Sequence, residues 1–434
     1  QFNVVLNLIV GALILFIVIL VVAWRLNLIN YFGGKSAAVP PPPEQIKLTK
    51  ERVVLAAEAD PPPVFINEQS IDIEKAFKVK PSGIHLTVSG QLKKEVFGYL
   101  PYWVIPKISE INTKLLTIIS YFGLEVDKNG DILKQDADGQ ILSPWTTFQS
   151  SSLLNSFIKK AQADKIKVLV TLKCFNRSNI EQLVTNPQAR INFINNAIYL
   201  MNSKGLDGID LDFEYIGEPQ KEVRDGFSIL VMDLNRELKK QHPQALLTIA
   251  TFVDAASNTR IHDVALLSNH VDALVVMGYD FHTPNSAQTG PVAPLEGYGN
   301  SLVGLLGSYL EKAPAEKIIL AVPYYGYDWP VEERGKNVKV VGSRPDVRIL
   351  SYAETADAAA SAQIQWDENG QTPWYSYKDS SGVTRVAHFE NTRSLGLKYD
   401  YINEKGLKGV GIWALGFDGK REELLQLLAD KFSQ

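Results

Sequence analysis

Eight short apolar runs alternate with amphipathic segments between Val96 and Ala414, and this alternation constrains the fold more than any other feature. Strands covered on both faces read as continuous apolar runs, because helices flank a parallel sheet on each side. The intervening segments, such as Leu153–Ala163 and Gly226–Gln241, have helical spacing of apolar residues. We therefore expect an α/β fold of the (β/α)8 TIM-barrel type. The predicted strands are Val96–Tyr99, Leu115–Phe122, Lys167–Leu172, Gly208–Phe213, Leu246–Thr251, Ala273–Met277, Ile318–Pro323 and Gly409–Ala414.

The predicted barrel domain covers residues 94–434, and one connection in it is unusually long. Residues 329–393 separate the seventh and eighth predicted strands and contain many Trp, Tyr, Asp and Gly residues. A simple helical crossover needs far fewer residues. We therefore expect an inserted α+β subdomain at this place.

The segment Val4–Trp24 contains no charged residue and consists largely of Val, Leu and Ile. As a helix of about 1.5 Å per residue it would span roughly 31 Å, the thickness of a bilayer core. It lacks a basic leading region and a following small-residue cleavage site, which favours an uncleaved anchor over a signal peptide. A buried core helix would show a polar face, and this segment does not. Residues 1–33 are thus predicted to be a transmembrane anchor.

The next segment, residues 34–93, is predicted to be a proline-rich linker followed by a short arm. Pro40–Pro43 and Pro61–Pro63 favour a stiff, extended spacer that holds the rest of the chain away from a membrane. Residues 64–93 fit either a short strand pair or a packing arm. A membrane-anchored protein whose main domain lies outside the cytoplasm, at the cell surface, follows as an expectation.

Composition excludes several classes of function. The net charge of −4 gives no electrostatic basis for binding nucleic acid. The six histidines lack metal-ligand spacing, so we expect no metal, and Cys174 has no partner for an intramolecular disulfide. The loose glycine pattern at Gly409 and Gly411 lies within an apolar run and not at a strand-to-helix turn, so no dinucleotide cofactor is expected. We expect a monomer.

The segment Leu206–Glu214 reads Leu-Asp-Gly-Ile-Asp-Leu-Asp-Phe-Glu. Alternate residues of a strand share a face, so Asp210, Asp212 and Glu214 point one way, while Asp207 has the opposite parity and fits a turn contact. Three carboxyl groups this close cannot all be ionised, and such a costly arrangement is found mainly at functional sites. A calcium loop needs glycine where Tyr215 stands, and a solvated acidic face would not alternate with apolar residues.

This segment matches at each position the signature of glycoside hydrolase family 18, the chitinase family, which the chain resembles over residues 94–434. Further segments resemble the family's strands in the right order. They are Val96–Trp103, Met277–Asp280, Ala321–Trp329 and Gly409–Trp413.

The resemblance implies substrate-assisted cleavage with retention, in which the substrate's own acetamido group replaces a protein nucleophile. Glu214 would be the general acid and base, Asp212 would orient the acetamido group, and Asp210 would share a proton with Asp212. Tyr279 would donate to the acetamido oxygen. The implied substrate-binding residues are Asp280, Trp413 as the floor of the sugar site, Tyr99, Trp103 and Tyr325.

The segment Thr171–Asn176 departs from the family, whose third strand often ends in Ser-x-Gly-Gly, whereas this chain has Thr-Leu-Lys-Cys. Three other segments, Gly290–Pro294, Tyr325–Trp329 and Phe389–Ser394, look more like the spore-cortex and cell-wall branch of the family than like secreted chitinases. The resemblance therefore implies a glycan containing N-acetylglucosamine as partner, either chitin oligomers or peptidoglycan.

Two other classes of function remain as alternatives. A catalytically silent, lectin-like barrel would bind glycan without cleaving it, although such relatives usually lack the terminal glutamate that Glu214 supplies. A membrane-tethered structural protein would explain only the anchor and the spacer.

Overall fold

The computed structural model describes residues 70–360 and 362–433, and within them eight parallel strands close into a barrel. Numbered in chain order, the barrel strands are β1 Glu95–Pro101, β2 Ile118–Glu125, β3 Lys167–Cys174, β4 Gly208–Phe213, β5 Leu246–Phe252, β6 Ala273–Met277, β7 Ile318–Pro323 and β13 Gly409–Trp413. Each pairs with its neighbour in the chain, and β13 closes the circuit between β7 and β1. The (β/α)8 prediction is confirmed.

The second strand shows the largest displacement from its predicted bounds, which were Leu115–Phe122. Leu115 and Leu116 are buried, but they lie in a turn in which the Leu116 amide bonds to the Thr113 carbonyl. They join the hydrophobic core from outside the sheet. Apolar residues in a buried turn therefore extended the predicted strand at its beginning.

Helices surround the barrel and complete its core. Numbered in chain order, the α-helices of the described residues are α1 Ile73–Lys78, α2 Ser143–Ser150, α3 Ser152–Ala163, α4 Arg177–Thr185, α5 Pro187–Lys204, α6 Lys221–Gln241, α7 Val264–Leu267, α8 Leu302–Leu310, α9 Tyr352–Ala359, α10 Thr392–Glu404 and α11 Glu423–Phe432. Short 3₁₀ helices cover Tyr102–Glu110, Ala315–Lys317 and Arg344–Asp346.

The ends of α5 illustrate how local sequence sets these bounds. The Asn186 side chain accepts a hydrogen bond from the Gln188 amide at 2.9 Å, and Pro187 occupies the first helical position, where its missing N–H costs nothing. Gly205 ends the helix with φ 60°, a left-handed conformation that glycine adopts without strain.

A second, antiparallel sheet lies between β7 and β13 in the chain. Its strands are β8 Tyr325–Pro330, β9 Arg348–Ser351, β10 Gln365–Asp367, β11 Thr372–Lys378 and β12 Thr384–His388, in the spatial order β10-β11-β12-β8-β9. Because β8 begins two residues after β7 ends, this sheet stands directly beside the carboxyl ends of the barrel strands. Tyr325 and Tyr327 of β8 thereby reach the mouth of the barrel.

The first described residues form a packing arm. Helix α1 buries Ala76 and Phe77, and the following extended segment runs to a bridge between Leu92 and Ser433 at the end of α11. The Leu86 amide also bonds to Glu422 at 3.3 Å. The arm therefore packs on the C-terminal part of the domain.

The predicted anchor at residues 1–33 and the linker as far as residue 69 lie outside the described residues. Within 70–360 and 362–433, none of the helices has both the length and the apolar character needed to cross a bilayer.

Candidate active site

The acidic residues of β4 point into the barrel mouth, as alternation along the strand predicts. Asp210 and Asp212 are buried, and Glu214, one residue beyond the end of β4, is half-buried. Ile209 and Leu211 on the opposite face are fully buried. Three carboxyl groups therefore form a column that rises toward the carboxyl end of the strand, where barrel active sites lie.

Asp207 lies at the other end of the same strand and takes no part in this column. Its Oδ2 accepts hydrogen bonds from the Val168 amide at 2.9 Å and from Gln162 Nε2 at 3.0 Å, and Lys167 Nζ lies 3.3 Å from Oδ1. The predicted turn contact is confirmed.

Asp210 is the deepest acid of the column and has a complete set of side-chain partners. Thr171 donates to its Oδ2 at 3.0 Å, and Thr248 donates to its Oδ1 at 2.5 Å. Both threonines stand opposite Asp210 in the pairing of β3, β4 and β5. Burial raises the pKa of Asp210 to about 6, while these hydroxyl donors act in the lowering direction.

Asp212 is held differently, since its buried Oδ1 has no hydrogen-bond partner among the described residues. Burial, and next the charge of Asp210, raise the pKa of Asp212 to about 8. A buried carboxylate oxygen without a donor is costly, so this atom is suited to a donor that arrives with a ligand.

Glu214 lies at the outer end of the column, and its surroundings favour the protonated form of its carboxyl group. Burial raises its pKa well above the usual range, and the charges of Asp212 and Asp280 act in the same direction. The column titrates as one coupled system, in which the protons belong to the set and not to single residues. A protonated carboxyl group at the cavity wall is what general acid catalysis requires.

The column opens into a cavity of about 260 Å³ at the barrel mouth. Seven of the predicted site residues line it, and they are Tyr99, Asp212, Glu214, Tyr279, Asp280, Tyr325 and Trp413. Asp210 does not line the cavity and precedes Asp212 on the same face of β4. Small-molecule sites have this character, with a largely apolar wall and a few convergent polar groups.

Aromatic rings form one wall of the cavity. The Trp413 ring centroid lies 4.7 Å from that of Phe122 and 5.5 Å from that of Tyr99, both edge-on. Trp413 is only 8% exposed, so its neighbours hold the indole rigidly. An apolar ring at the base of a polar cavity fits the C–H face of a sugar.

Another part of the cavity wall is formed by Tyr279 and Asp280, which follow β6 after Gly278. Asp280 Oδ1 accepts hydrogen bonds from the Tyr325 hydroxyl at 2.5 Å and the Tyr327 hydroxyl at 2.7 Å. Burial raises the pKa of Asp280 to about 6, and the two tyrosines act in the lowering direction. After burial, the charges of Asp212 and Glu214 raise the pKa of Tyr279, so its hydroxyl stays a donor.

Besides Asp210, Trp103 is the predicted site residue that does not line the cavity. It packs edge-on against Phe122 with 6.3 Å between ring centroids, and Phe122 stands between it and the cavity.

Several residues of the site were not identified from the sequence. Thr171 and Thr248 bind Asp210, Tyr327 binds Asp280, and Lys173 pairs with Asp212 in strand register. For the residues on β3 and β5, the available signal was strand alternation, because polar residues in apolar runs next to an acid strand point to the same face. Alternation along the barrel strands gave no signal for Tyr327, since it lies on β8, which belongs to the second sheet.

Arg260 and Asp254 form a second polar group in the cavity, also missed from the sequence. The Arg260 NH2 lies 2.6 Å from Asp254 Oδ2, and both side chains are largely buried. This ion pair lies in the loop after β5.

A metal site is a separate question. Among residues 70–360 and 362–433, no group of three or more His, Cys, Asp or Glu side chains is arranged to hold an ion.

Comparison with known proteins agrees with this geometry. The sequence profile of the glycosyl hydrolases family 18 matches residues 95–418. YdhD of Bacillus subtilis, named as a sporulation-specific glycosylase, is 28% identical over 89% of this chain and 87% of its own length. The cortical fragment-lytic enzyme of Bacillus anthracis is 25% identical over 74% of this chain and 71% of its own length.

Solved structures share the fold. The GH18 chitinase of Cycas revoluta, in a complex with allosamidin, superposes with a TM-score of 0.67 at 25% identity and covers 78% of this chain and 99% of its own.

Proposed function

Because this chain belongs to glycosyl hydrolase family 18, and is thus a glycosidase of a chitinase-like family, we propose that it cleaves β-1,4 bonds beside N-acetylglucosamine. The proposed substrates are the glycan strands of peptidoglycan and chitin-type oligomers. The observation that carries the proposal is the column of Asp210, Asp212 and Glu214. It places on the wall of one cavity a glutamate whose pKa is raised well above the usual range and an aspartate with a buried oxygen that lacks a donor.

The first step we propose is protonation of the glycosidic oxygen by Glu214. As the bond from this oxygen to the anomeric carbon breaks, the carbonyl oxygen of the substrate's 2-acetamido group bonds to that carbon. Asp212 Oδ1 accepts the acetamido N–H, which gives this buried oxygen the donor that it lacks. Asp210 shares the charge of the Asp212 carboxyl group and is itself held by Thr171 and Thr248.

The second step reverses the roles. Glu214, now ionised, takes a proton from water, and the resulting hydroxide attacks the anomeric carbon and releases the acetamido oxygen. Two successive displacements return the original configuration, so the product keeps the β-anomer. Tyr279 donates to the acetamido oxygen while charge develops there, which is electrostatic stabilisation of a transition state.

The remaining cavity residues bind the sugar in this proposal. Trp413 supports the apolar face of the ring, with Tyr99 beside it. Asp280 accepts hydrogen bonds from sugar hydroxyls, and Tyr325 fixes the Asp280 carboxylate. Since Trp103 packs behind Phe122, its role would be to position that ring.

Two features favour peptidoglycan as the first substrate to examine. The relative that matches 89% of this chain is named as a sporulation-specific glycosylase, and another is named as a cortical fragment-lytic enzyme. The uncharged segment Val4–Trp24 further supports a membrane-anchored enzyme whose barrel meets glycan outside the cytoplasm.

The test is a substrate panel for the full chain. Purified peptidoglycan and N-acetylglucosamine oligomers are incubated in parallel, and the new reducing ends and their anomeric configuration are followed by NMR. The proposal predicts cleavage of at least one of them with the β-anomer formed first. An initial α-anomer would contradict the acetamido mechanism, and tight binding without cleavage would indicate a lectin-like barrel.

A further inference from the structure

Lys173 lies at the carboxyl end of β3, on the same face as the acid column. It stands opposite Asp212 in the β3–β4 pairing, two residues beyond Thr171, which stands opposite Asp210. Here the sequence departs from the Ser-x-Gly-Gly pattern, with lysine in place of the first glycine. Lys173 therefore places a cation beside the acid column, at a position where the pattern has glycine and thus no side chain.

The lysine side chain is held in place by three neighbours. Its Nζ lies 3.4 Å from Glu125 Oε2 on β2 and 4.7 Å from the centre of the Phe175 ring, which lines the cavity. A Cβ at Gly123 would lie 3.2 Å from Lys173 Cδ, so the glycine at that position leaves room for the lysine stem. Only 17% of the Lys173 side chain is exposed. Its charge is thus fixed beside the column and is incompletely screened by solvent.

Acidic side chains lie on both of the strands that flank β3. Strand β2 and the turn after it contribute Glu125 and Asp127, and β4 contributes Asp212 and Glu214. From the other side, Asp280 and Tyr279 after β6 and Tyr99 on β1 face the acids. Lys173 acts on both Asp212 and Glu214, in each case in the direction that lowers the pKa and favours the ionised form.

We propose that Lys173 is a positioning residue for the glycosidase reaction, whose ammonium, tethered by Glu125, stabilises the negative charge left on Glu214 after proton transfer to the leaving oxygen. The proposal rests on the proposed function of Glu214. The proton moves from Glu214 to the glycosidic oxygen, and the lysine transfers no proton in this step. Its charge also favours the ionised form of Asp212, which is the form that accepts the acetamido N–H.

Removing the positive charge of Lys173 should change the pH dependence of kcat. In Lys173→Met, Asp212 and Glu214 ionise at higher pH, so the pH optimum of kcat moves upward by about one unit and kcat at the optimum falls roughly tenfold. KM changes little, because the lysine does not line the cavity. Lys173→Arg keeps the charge and should keep the wild-type optimum.

The chain offers a matched control on the same strand. Lys167 begins β3, has the same parity as Lys173, and pairs with Asp207 at 3.3 Å, but it lies at the opposite end of the barrel. Lys167→Met removes the same charge from the same strand without approaching the acids. Its pH profile should superpose on that of the wild type.

The experiment measures kcat and KM of the full-length wild type and the three variants between pH 4 and 9. The probe is an N-acetylglucosamine tetramer. If the wild type cleaves peptidoglycan but not the tetramer, solubilised peptidoglycan is used instead. If the methionine variant does not fold, Lys173→Gln takes its place, since it removes the charge and keeps a polar end. A Lys173→Met profile identical to wild type would overturn the proposal, as would an equal loss in Lys173→Arg. A wild type that cleaves neither glycan would instead overturn the function on which the proposal rests.

Discussion

The hydroxyl of Tyr327 lies 2.7 Å from Asp280 Oδ1, and this contact joins the second sheet to the acid cavity of the barrel. Tyr327 is fully buried and does not line the cavity, and it contacts the site through Asp280 and through the ring of Tyr325, whose centroid lies 5.4 Å from its own. The second sheet therefore takes part in the candidate site, because its first strand donates a hydrogen bond to a cavity residue.

Tyr327→Phe should weaken substrate binding near neutral pH. Loss of one donor moves the pKa of Asp280 upward from about 6. Near neutral pH the Asp280 carboxyl group is therefore protonated more often in the variant than in the wild type. We expect KM to rise roughly threefold at pH 7, in line with about one lost hydrogen bond, and to approach the wild-type value at pH 9. Tyr377→Phe is the matched control, because Tyr377 donates to Asp328 at 2.8 Å, outside the cavity. Equal effects in both variants would argue against a role for Asp280 in binding.

Thr248→Val should alter the pH profile of kcat. Thr248 donates to Asp210, and its loss raises the pKa of that carboxyl group above about 6. A protonated Asp210 no longer shares charge with Asp212, so kcat should fall several-fold and the acidic limb should move to higher pH. Thr251→Val on the same strand breaks a bond to Tyr309 at 2.8 Å and should lower stability without moving the limb.

Asp212→Asn should stabilise the protein at high pH. Burial raises the folded-state pKa of Asp212 to about 8 from the ordinary aspartate value of 3.8, so between these pH values the folded state holds a proton that the unfolded state has lost. This stability is complete below pH 3.8 and is lost as the pH rises through about 8. Thermal unfolding should therefore show the Asn variant melting a few degrees higher than wild type at pH 9, with the difference vanishing at pH 3.5. A constant difference across this range would contradict the burial of an uncompensated carboxyl group.

Removing the acetyl group from the substrate should remove most of the activity. In the proposed mechanism the acetamido carbonyl is the nucleophile and its N–H is the donor for Asp212 Oδ1, and a free amine supplies neither in the same geometry. An oligomer with glucosamine at the cleaved position should react at least about 10²-fold more slowly, since an effective intramolecular nucleophile is lost. Comparable rates on the two oligomers would rule out acetamido participation.

Much of the fold was predictable because barrel strands are buried on both faces. Runs such as Gly208–Phe213, Ala273–Met277 and Ile318–Pro323 have the bounds that the sequence predicted. The second strand was displaced because Leu115 and Leu116 are buried in a turn, and hydrophobicity alone does not separate a buried turn from a strand. The pairing of the second sheet was not predicted, since its strands are short and β12 pairs with β8, which is distant in the chain.

The site was predictable where one strand carried it. Alternation along β4 placed Asp210, Asp212 and Glu214 on one face and Asp207 apart from them, and the structure has this arrangement. Partners from other strands were missed, because Thr171, Thr248 and Lys173 reach the acids through register between strands, which a single sequence does not contain. Trp103 was predicted to bind substrate because it follows the first strand closely, but it packs against Phe122 and does not line the cavity.

The role of Glu214 as the proton donor of a glycosidase can be tested with two single substitutions. Glu214→Gln keeps the shape of the side chain but has no acidic proton. Glu218→Gln changes an exposed glutamate four residues along the chain and is the matched control. The rate of glycan cleavage by each full-length variant is measured on the substrate that the wild type cleaves, with thermal unfolding to confirm that both fold. We expect the rate of glycan cleavage to fall about 10³-fold or more in Glu214→Gln and to stay at the wild-type value in Glu218→Gln. Cleavage by Glu214→Gln at the wild-type rate would contradict the role of Glu214 as proton donor.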